Sequence, residues 1–217
     1  MYPRFTGTML RYRRSTGLGF AQMSPGQHLI ISWVVANGAV LDRRSRIAIT
    51  AAGVIPDLDG LGIIIDRVAP YFGHATRFYG EYHHILAHNL FAGLLISLLA
   101  AALCRRSLAV FLLSLLAFHA HLLCDIAGSK GPDGYQWPIP YLYPLFPDIQ
   151  LTWSGQWLLS SPVNSLIGVG FFIVALVIAR YRHVTFFELF SKRFEAIVYR
   201  AGLARGFFKP NESEERD

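Results

Sequence analysis

HILAHNLFAGLLISLLAAALCRRSLAVFLLSLLAFHAHLLCDI, residues 84–126, decides the fold. Two apolar runs, 84–103 and 107–126, flank the polar break CRRS. Each approaches the roughly twenty residues a helix needs to cross the hydrocarbon core of a bilayer. The break between them leaves room only for a reversal, so the runs are expected to fold back as an antiparallel helix pair. His84 and His88 stand near the start of the first run, and His121 and Asp125 near the end of the second. Residues four apart share a helix face. His88 lies 17 residues before Arg105 and His121 lies 16 after it, so at about 1.5 Å per residue both sit about 25 Å from the hairpin tip. The hairpin is therefore expected to gather imidazoles and a carboxylate at its open end.

The rest of the 217-residue chain fits a membrane setting. It is 53% hydrophobic and only 16% charged, with mean hydropathy +0.37, where soluble domains carry about a quarter charged residues. The formal charge of +6 and pI of about 9.5 could suit nucleic acid. However, the basic residues sit in short clusters beside apolar runs: Arg43, Arg44 and Arg46; Arg105 and Arg106; Arg180 and Arg182. That is the pattern of cytoplasmic flanks of membrane helices, and no nucleic-acid partner is expected. The basic start of the chain lacks the apolar core of a secretory signal.

Residues 1–25 read as a basic arm and 26–182 as the membrane domain. Within that domain, HLIISWVVANGAVL (28–41) predicts a short helix, and IAITAAGVIPDLDGLG (47–62) runs into a Pro-Asp-Leu-Asp turn. Residues 61–80 read as a loop with a short helix. The Pro-, Gly- and aromatic-rich stretch 127–160 reads as a lid, and 162–179 as a third spanning candidate. Residues 183–208, with Phe186, Phe190, Phe194 and Ile197 at three- and four-residue steps, predict an amphipathic helix on the membrane surface. The acidic end, 209–217, reads as a solvated tail. The expected architecture is all-α: an integral membrane helical bundle whose hairpin carries a His/Asp metal site at one end.

Ionisable groups at a bilayer edge are costly unless paired or functional. Imidazole and carboxylate are also the usual ligands of zinc and its first-row neighbours. Asp57 and Asp59, in the tight turn framed by Pro56 and Gly60, fit the same chemistry, and His28 opens the first helix. These candidate ligands fall at one end of each run and the basic turns at the other. The positive-inside rule would put the basic ends in the cytoplasm and the site on the opposite face. Arg11, Arg13 and Arg14 precede His28 with no intervening span, so the orientation stays open. His74, His119 and His183 read as ordinary structural histidines. Trp137, Tyr141, Tyr143, Trp153 and Trp157 read as an interfacial aromatic belt. Asp133 and Asp148 read as solvated loop residues. Cys104 and Cys124 would lie at opposite ends of the hairpin, too far apart for a disulfide.

In order and topology, His28, PDLD (Asp57, Asp59), HHILAHN (His83 to His88) and HLLCD (His121, Asp125) resemble the bacterial membrane-bound metal-dependent hydrolases called YdjM-like, some of them LexA-regulated. That family shows an early His, a PDxD turn, an HRGxTHS element and a closing HxxxD. The resemblance covers roughly residues 26–180. It implies a multi-pass protein of the bacterial inner membrane. It also implies a divalent metal, zinc first with manganese or iron as alternatives, held by His28, Asp57, Asp59, His83, His88, His121 and Asp125. The family's Arg is replaced by His84, its Gly by Ile85, its Thr by Ala87 and its Ser by Asn89. Among the metal-binding histidines this pairs His83 with His88, and leaves His84 as a catalytic group, a ligand or a phosphate contact. A fainter resemblance reaches zinc-dependent phospholipase C and P1-type nucleases, which suggests a phosphoester or lipid head group as substrate. The rival readings are a haem held between His88 and His121, a di-iron oxidase lacking its usual further histidine box, and a non-enzymatic metal carrier.

Overall fold

The structure is a computed structural model that describes residues 25–105, 107–132 and 134–208. The arm before residue 25 and the acidic tail lie outside the described residues. Among the described residues every regular element is helical, and pairing is limited to two isolated bridges, Lys130 with Leu158 and Ile139 with Leu151.

Helix α1, Pro25–Ala36, begins on its proline, a residue whose missing N–H costs nothing in a first turn. It stops before the expected residue 41 because the Asn37 side-chain amide turns back to donate to the Trp33 carbonyl, 2.9 Å away. Helix α2, Arg43–Ala52, is started by Asp42, whose carboxylate accepts from the Ser45 N–H at 2.9 Å. Arg43, Arg44 and Arg46 therefore lie within α2 and do not close α1. The chain then bends by 48° after Gly53. It runs through a 3₁₀ turn Ile55–Leu61, helix α3 Gly62–Val68, a second 3₁₀ turn Ala69–Phe72 and the short helix α4 Phe78–Tyr82. This stretch is more helical than expected. Pro56 and Pro70 open its 3₁₀ turns and Gly73, at φ +78°, closes the second one in a left-handed conformation.

The hairpin follows as α5, Leu90–Ala102, and α6, Ser107–Gly128. The first arm is shorter than its apolar run, because Asn89 caps it: its side-chain oxygen accepts from Ala92 N–H at 2.9 Å. Its side-chain amide donates back to the carbonyls of Ile85 and Leu86. His84 and His88 consequently lie before the helix, in turns and bends, and not on one helical face. The arms pack antiparallel. Ala92 and Ile96 join Phe118 and Leu122, while Ala100 and Cys104 join Val110 and Leu113. Gly93 permits this approach, since a Cβ there would fall 2.7 Å from the Phe118 ring. Cys104 and Cys124 are both free.

Helices α1 and α2 pack on α6, and α7, Pro162–Arg182, packs on α1. Among the described residues two helical stretches, Leu108–Gly128 and Pro162–Arg182, are long and apolar enough to cross a membrane. The bent pair Arg43–Ala52 and Ile55–Phe72 makes a third if it counts as one span. Leu108, Leu112, Leu116 and Leu123 form an exposed stripe on α6, and Leu166, Val169, Ile173 and Val177 one on α7. Apolar stripes of this extent suit lipid and not water.

The bundle has two chemically different ends. At one, Glu188 is buried and accepts from Trp33 Nε1 at 3.0 Å and from Arg46 at 2.7 and 2.5 Å. Its carbonyl takes the Arg43 guanidinium at 2.8 Å. Arg182 reaches the Ala39 carbonyl there at 2.8 Å. The expected amphipathic helix is split into a 3₁₀ turn, Phe186–Leu189, and α8, Lys192–Ala204, because Ser191 caps a new start. At the other end the long connection is fixed by Asn164, which donates to the carbonyls of Gly128 and Leu159 and accepts from Trp157 Nε1 at 2.7 Å. The histidines and aspartates gather at that end.

Candidate metal centre

Four segments contribute. His28 comes from the first turn of α1, Asp57 and Asp59 from the 3₁₀ turn after the bend, and His83, His84 and His88 from the irregular segment before α5. His121 and Asp125 come from the last two turns of α6. His28, His84, His88, His121 and Asp125 are all buried. Their chemistry is set by which ring nitrogens are already committed.

His121 Nδ1 lies 2.9 Å from the Gly53 carbonyl. A carbonyl only accepts, so Nδ1 carries the proton and Nε2 presents its lone pair. The helix break supplies that carbonyl, because α2 ends at Ala52 and does not continue past Gly53. Gly53 is also sterically required, since a Cβ would fall 2.1 Å from Ser32 Oγ and 3.1 Å from the Ala117 carbonyl.

His88 Nδ1 lies 3.0 Å from Asp59 Oδ2, and the other Asp59 oxygen takes His83 Nδ1 at 2.7 Å. Both Asp59 oxygens are thus engaged by imidazoles. His88 Nε2 then faces His121 Nε2 at 3.2 Å. Asp125 Oδ2 lies 3.1 Å from His121 Nε2 and 3.4 Å from His88 Nε2, with hydrogen-bond geometry to neither. Asp125 Oδ1 lies 3.5 Å from His28 Nε2 and accepts from Ser129 Oγ at 3.3 Å. Asp57 Oδ1 stands 3.7 Å from His121 Nε2. The His28 and His121 rings are 3.9 Å apart, and those of His84 and His88 are 4.5 Å apart.

Burial alone would lower the basicity of His88, but the Asp125 and Asp59 carboxylates beside its two nitrogens outweigh it and raise its pKa to about 9. Metal binding at such a site would release protons, because histidine ligates in its neutral form. His84 behaves oppositely. Burial pushes its pKa down to about 3, so it is a neutral imidazole at pH 7. Its backbone sits at φ +67°, a left-handed conformation uncommon for a side-chain-bearing residue.

The donor set fits a metal. Each of two groups, His28 with Asp57 and His121, and His84 with His88 and Asp125, places three ligand atoms within 4.8 Å of one another. His28 Nδ1, Asp57 Oδ2, His84 Nδ1 and Asp125 Oδ2 are buried without a hydrogen-bond partner, a costly state unless something else binds them. All seven residues expected as ligands, and His84, converge here. Asp59 and His83 lie outside both three-donor groups.

Several neighbours were not legible in the sequence. Tyr79 stacks on His83 at 4.6 Å, and Trp137 meets His83 and His84 edge-on at 5.7 and 5.3 Å, so Trp137 stands at the centre as well as in an aromatic-rich loop. Gln156 donates to the Asp125 carbonyl at 2.9 Å. Nothing in spacing could have flagged the Gly53 carbonyl. His119 and His183 are structural, hydrogen-bonded to the Tyr141 and Tyr199 hydroxyls at 2.7 Å each.

A family model described as YdjM inner membrane protein matches residues 23–190, a stretch that holds the whole cluster and all the helices up to the 3₁₀ turn after α7. No curated protein matches the chain, and no solved structure does.

Proposed function

We propose that the chain, which belongs to the YdjM inner membrane protein family, is a multi-pass membrane enzyme that uses a divalent metal, zinc first, to hydrolyse a phosphoester or lipid-type substrate. One observation carries the reading: the facing His88 and His121 Nε2 atoms, 3.2 Å apart beside Asp125, with their far nitrogens anchored by Asp59 and Gly53. Metal-binding histidines characteristically donate their other N–H to a carboxylate or a backbone carbonyl, which fixes tautomer and ring orientation. A bound divalent cation would supply Lewis acidity and lower the pKa of water toward neutrality.

The chain's own residues would do the rest. Asp59 holds His88 and His83 in place, and Gly53 holds His121. His84 keeps an unpaired Nδ1 in neutral form, available to a cation or to a proton on the reacting group. A lipid-type substrate is supported by depth: Asp125 is three residues from the end of a span-length helix, about 5 Å inside it. It is also supported by the exposed apolar side chains of Leu58, Leu61 and Ile64, next in sequence to Asp57 and Asp59.

The test is elemental analysis of detergent-purified protein beside His88→Ala and Asp125→Ala. It is joined to hydrolysis assays on a chromogenic phosphodiester and on phospholipid in mixed micelles. Metal and turnover that fall together in both variants are expected. A folded, metal-supplemented wild type that binds no metal would sink the reading. Metal without turnover on either substrate class would favour the non-enzymatic carrier, which the burial of His28, His88 and His121 also suits. An axial haem fits less well. Two axial nitrogens need about 4 Å between them around a metal at about 2.0 Å per bond, and here Asp125 crowds the gap.

A further inference from the structure

We infer that the centre holds two metal ions, one in each three-donor group, with the Asp125 carboxylate shared between them. The inference rests on the metal-centre reading above and adds its stoichiometry and ligand partition.

Three features point to two ions. The first is donor number. The groups His28, Asp57, His121 and His84, His88, Asp125 have no residue in common. Six donors exceed the four that zinc normally takes, whereas three protein donors with an open position is the number that catalytic zinc sites use.

The second is the distribution of unpaired atoms. Of the four candidate-ligand atoms that are buried without a hydrogen-bond partner, His28 Nδ1 and Asp57 Oδ2 belong to the first group. His84 Nδ1 and Asp125 Oδ2 belong to the second. One ion in either group would leave the other group's pair buried and unsatisfied, a costly state for polar atoms.

The third is contact between the groups. His88 Nε2 and His121 Nε2, from different groups, are 3.2 Å apart. The two oxygens of Asp125 divide between the groups. Oδ1 approaches His28 Nε2 at 3.5 Å, and Oδ2 lies between His88 and His121 at 3.4 and 3.1 Å. A carboxylate so placed can bridge two ions at the spacing of about 3.5–4 Å found in two-metal hydrolytic sites. Asp59 then acts as a positioning residue that holds the second group's His88 through its Nδ1, and His83 braces the other Asp59 oxygen.

The experiment titrates metal-free wild type, Asp57→Asn and His84→Gln with Mn²⁺ in detergent. It counts bound equivalents by elemental analysis and records electron paramagnetic resonance spectra. Size-exclusion elution and circular dichroism establish that each variant is folded. Two equivalents in the wild type are expected, with an exchange-coupled Mn²⁺ spectrum. Each variant is expected to retain one equivalent with an uncoupled spectrum. A wild type saturating at one equivalent, or two equivalents without coupling, overturns the inference while leaving a mononuclear hydrolase intact. No bound metal overturns both. The wild-type spectrum decides the matter even if a variant fails to fold.

Discussion

The Asp59 carboxylate lies 3.0 Å from His88 Nδ1, on the opposite side of the ring from the cluster that Nε2 enters. On the two-ion assignment Asp59 acts on the centre through His88. Asp59→Asn keeps the shape but halves the acceptor capacity. It should cost about 10–100-fold in metal affinity, the range for losing an outer partner of a ligating histidine. Asp125→Asn, in the cluster itself, should cost more. Competitive titration of both variants with a fluorescent chelator checks the order. Equal losses would make Asp59 a direct ligand.

Gly53→Ala tests the backbone anchor. The added methyl group would overlap Ser32 Oγ and press on the Ala117 carbonyl. The chain must shift at the carbonyl that orients His121. Metal affinity should fall by about tenfold or more. The double variant Gly53→Ala with Ser32→Gly removes the nearest obstruction and should recover part of the loss. Metal titration of both proteins reads the effect, and no recovery would place the damage elsewhere.

Metal removal should loosen the fold. A cation that binds only the native state adds about 2.7 kcal/mol at a free concentration a hundred times its Kd. Chelator-treated protein should therefore unfold at a lower temperature in detergent, and added metal should restore it. Identical unfolding with and without metal would mean the buried cluster is self-sufficient.

Glu188 tests the opposite end. Its removal would leave Arg46 and Trp33 Nε1 without their buried partner. Breaking a buried ion pair from one side costs about 3–5 kcal/mol. Glu188→Ala should thus lower thermal stability markedly, while the folded fraction keeps its full metal content. Glu188→Gln should fall between. Metal loss without destabilisation would contradict the separation of the two ends.

The helical hairpin was legible because apolar length and a four-residue reversal leave few alternatives. The convergence of His88, His121 and Asp125 was legible because equal distance from a hairpin tip means equal depth. His84 and His88 share no helical face. Asn89 caps α5 after them, and His84 turns left-handed, so the two rings meet through a folded coil. Local capping overrode the apolar pattern. Both Asp59 oxygens meet imidazoles, a matter of side-chain direction that PDLD alone does not encode. The Trp33, Arg46 and Glu188 cluster joins residues up to 155 apart in sequence and left no trace in spacing.

The interruption after α2 also bears on how such a protein tolerates improvement. In a medium without water, a peptide carbonyl released from its helix must find another donor. Here the donor is the imidazole of His121. Helix continuity and the orientation of His121 are thus antagonists at Gly53. A substitution that healed the break would yield a more regular helix and a misdirected histidine. Variants selected for heat resistance alone would drift toward well-folded proteins with an eroded centre, and thermal screening by itself would score that erosion as success.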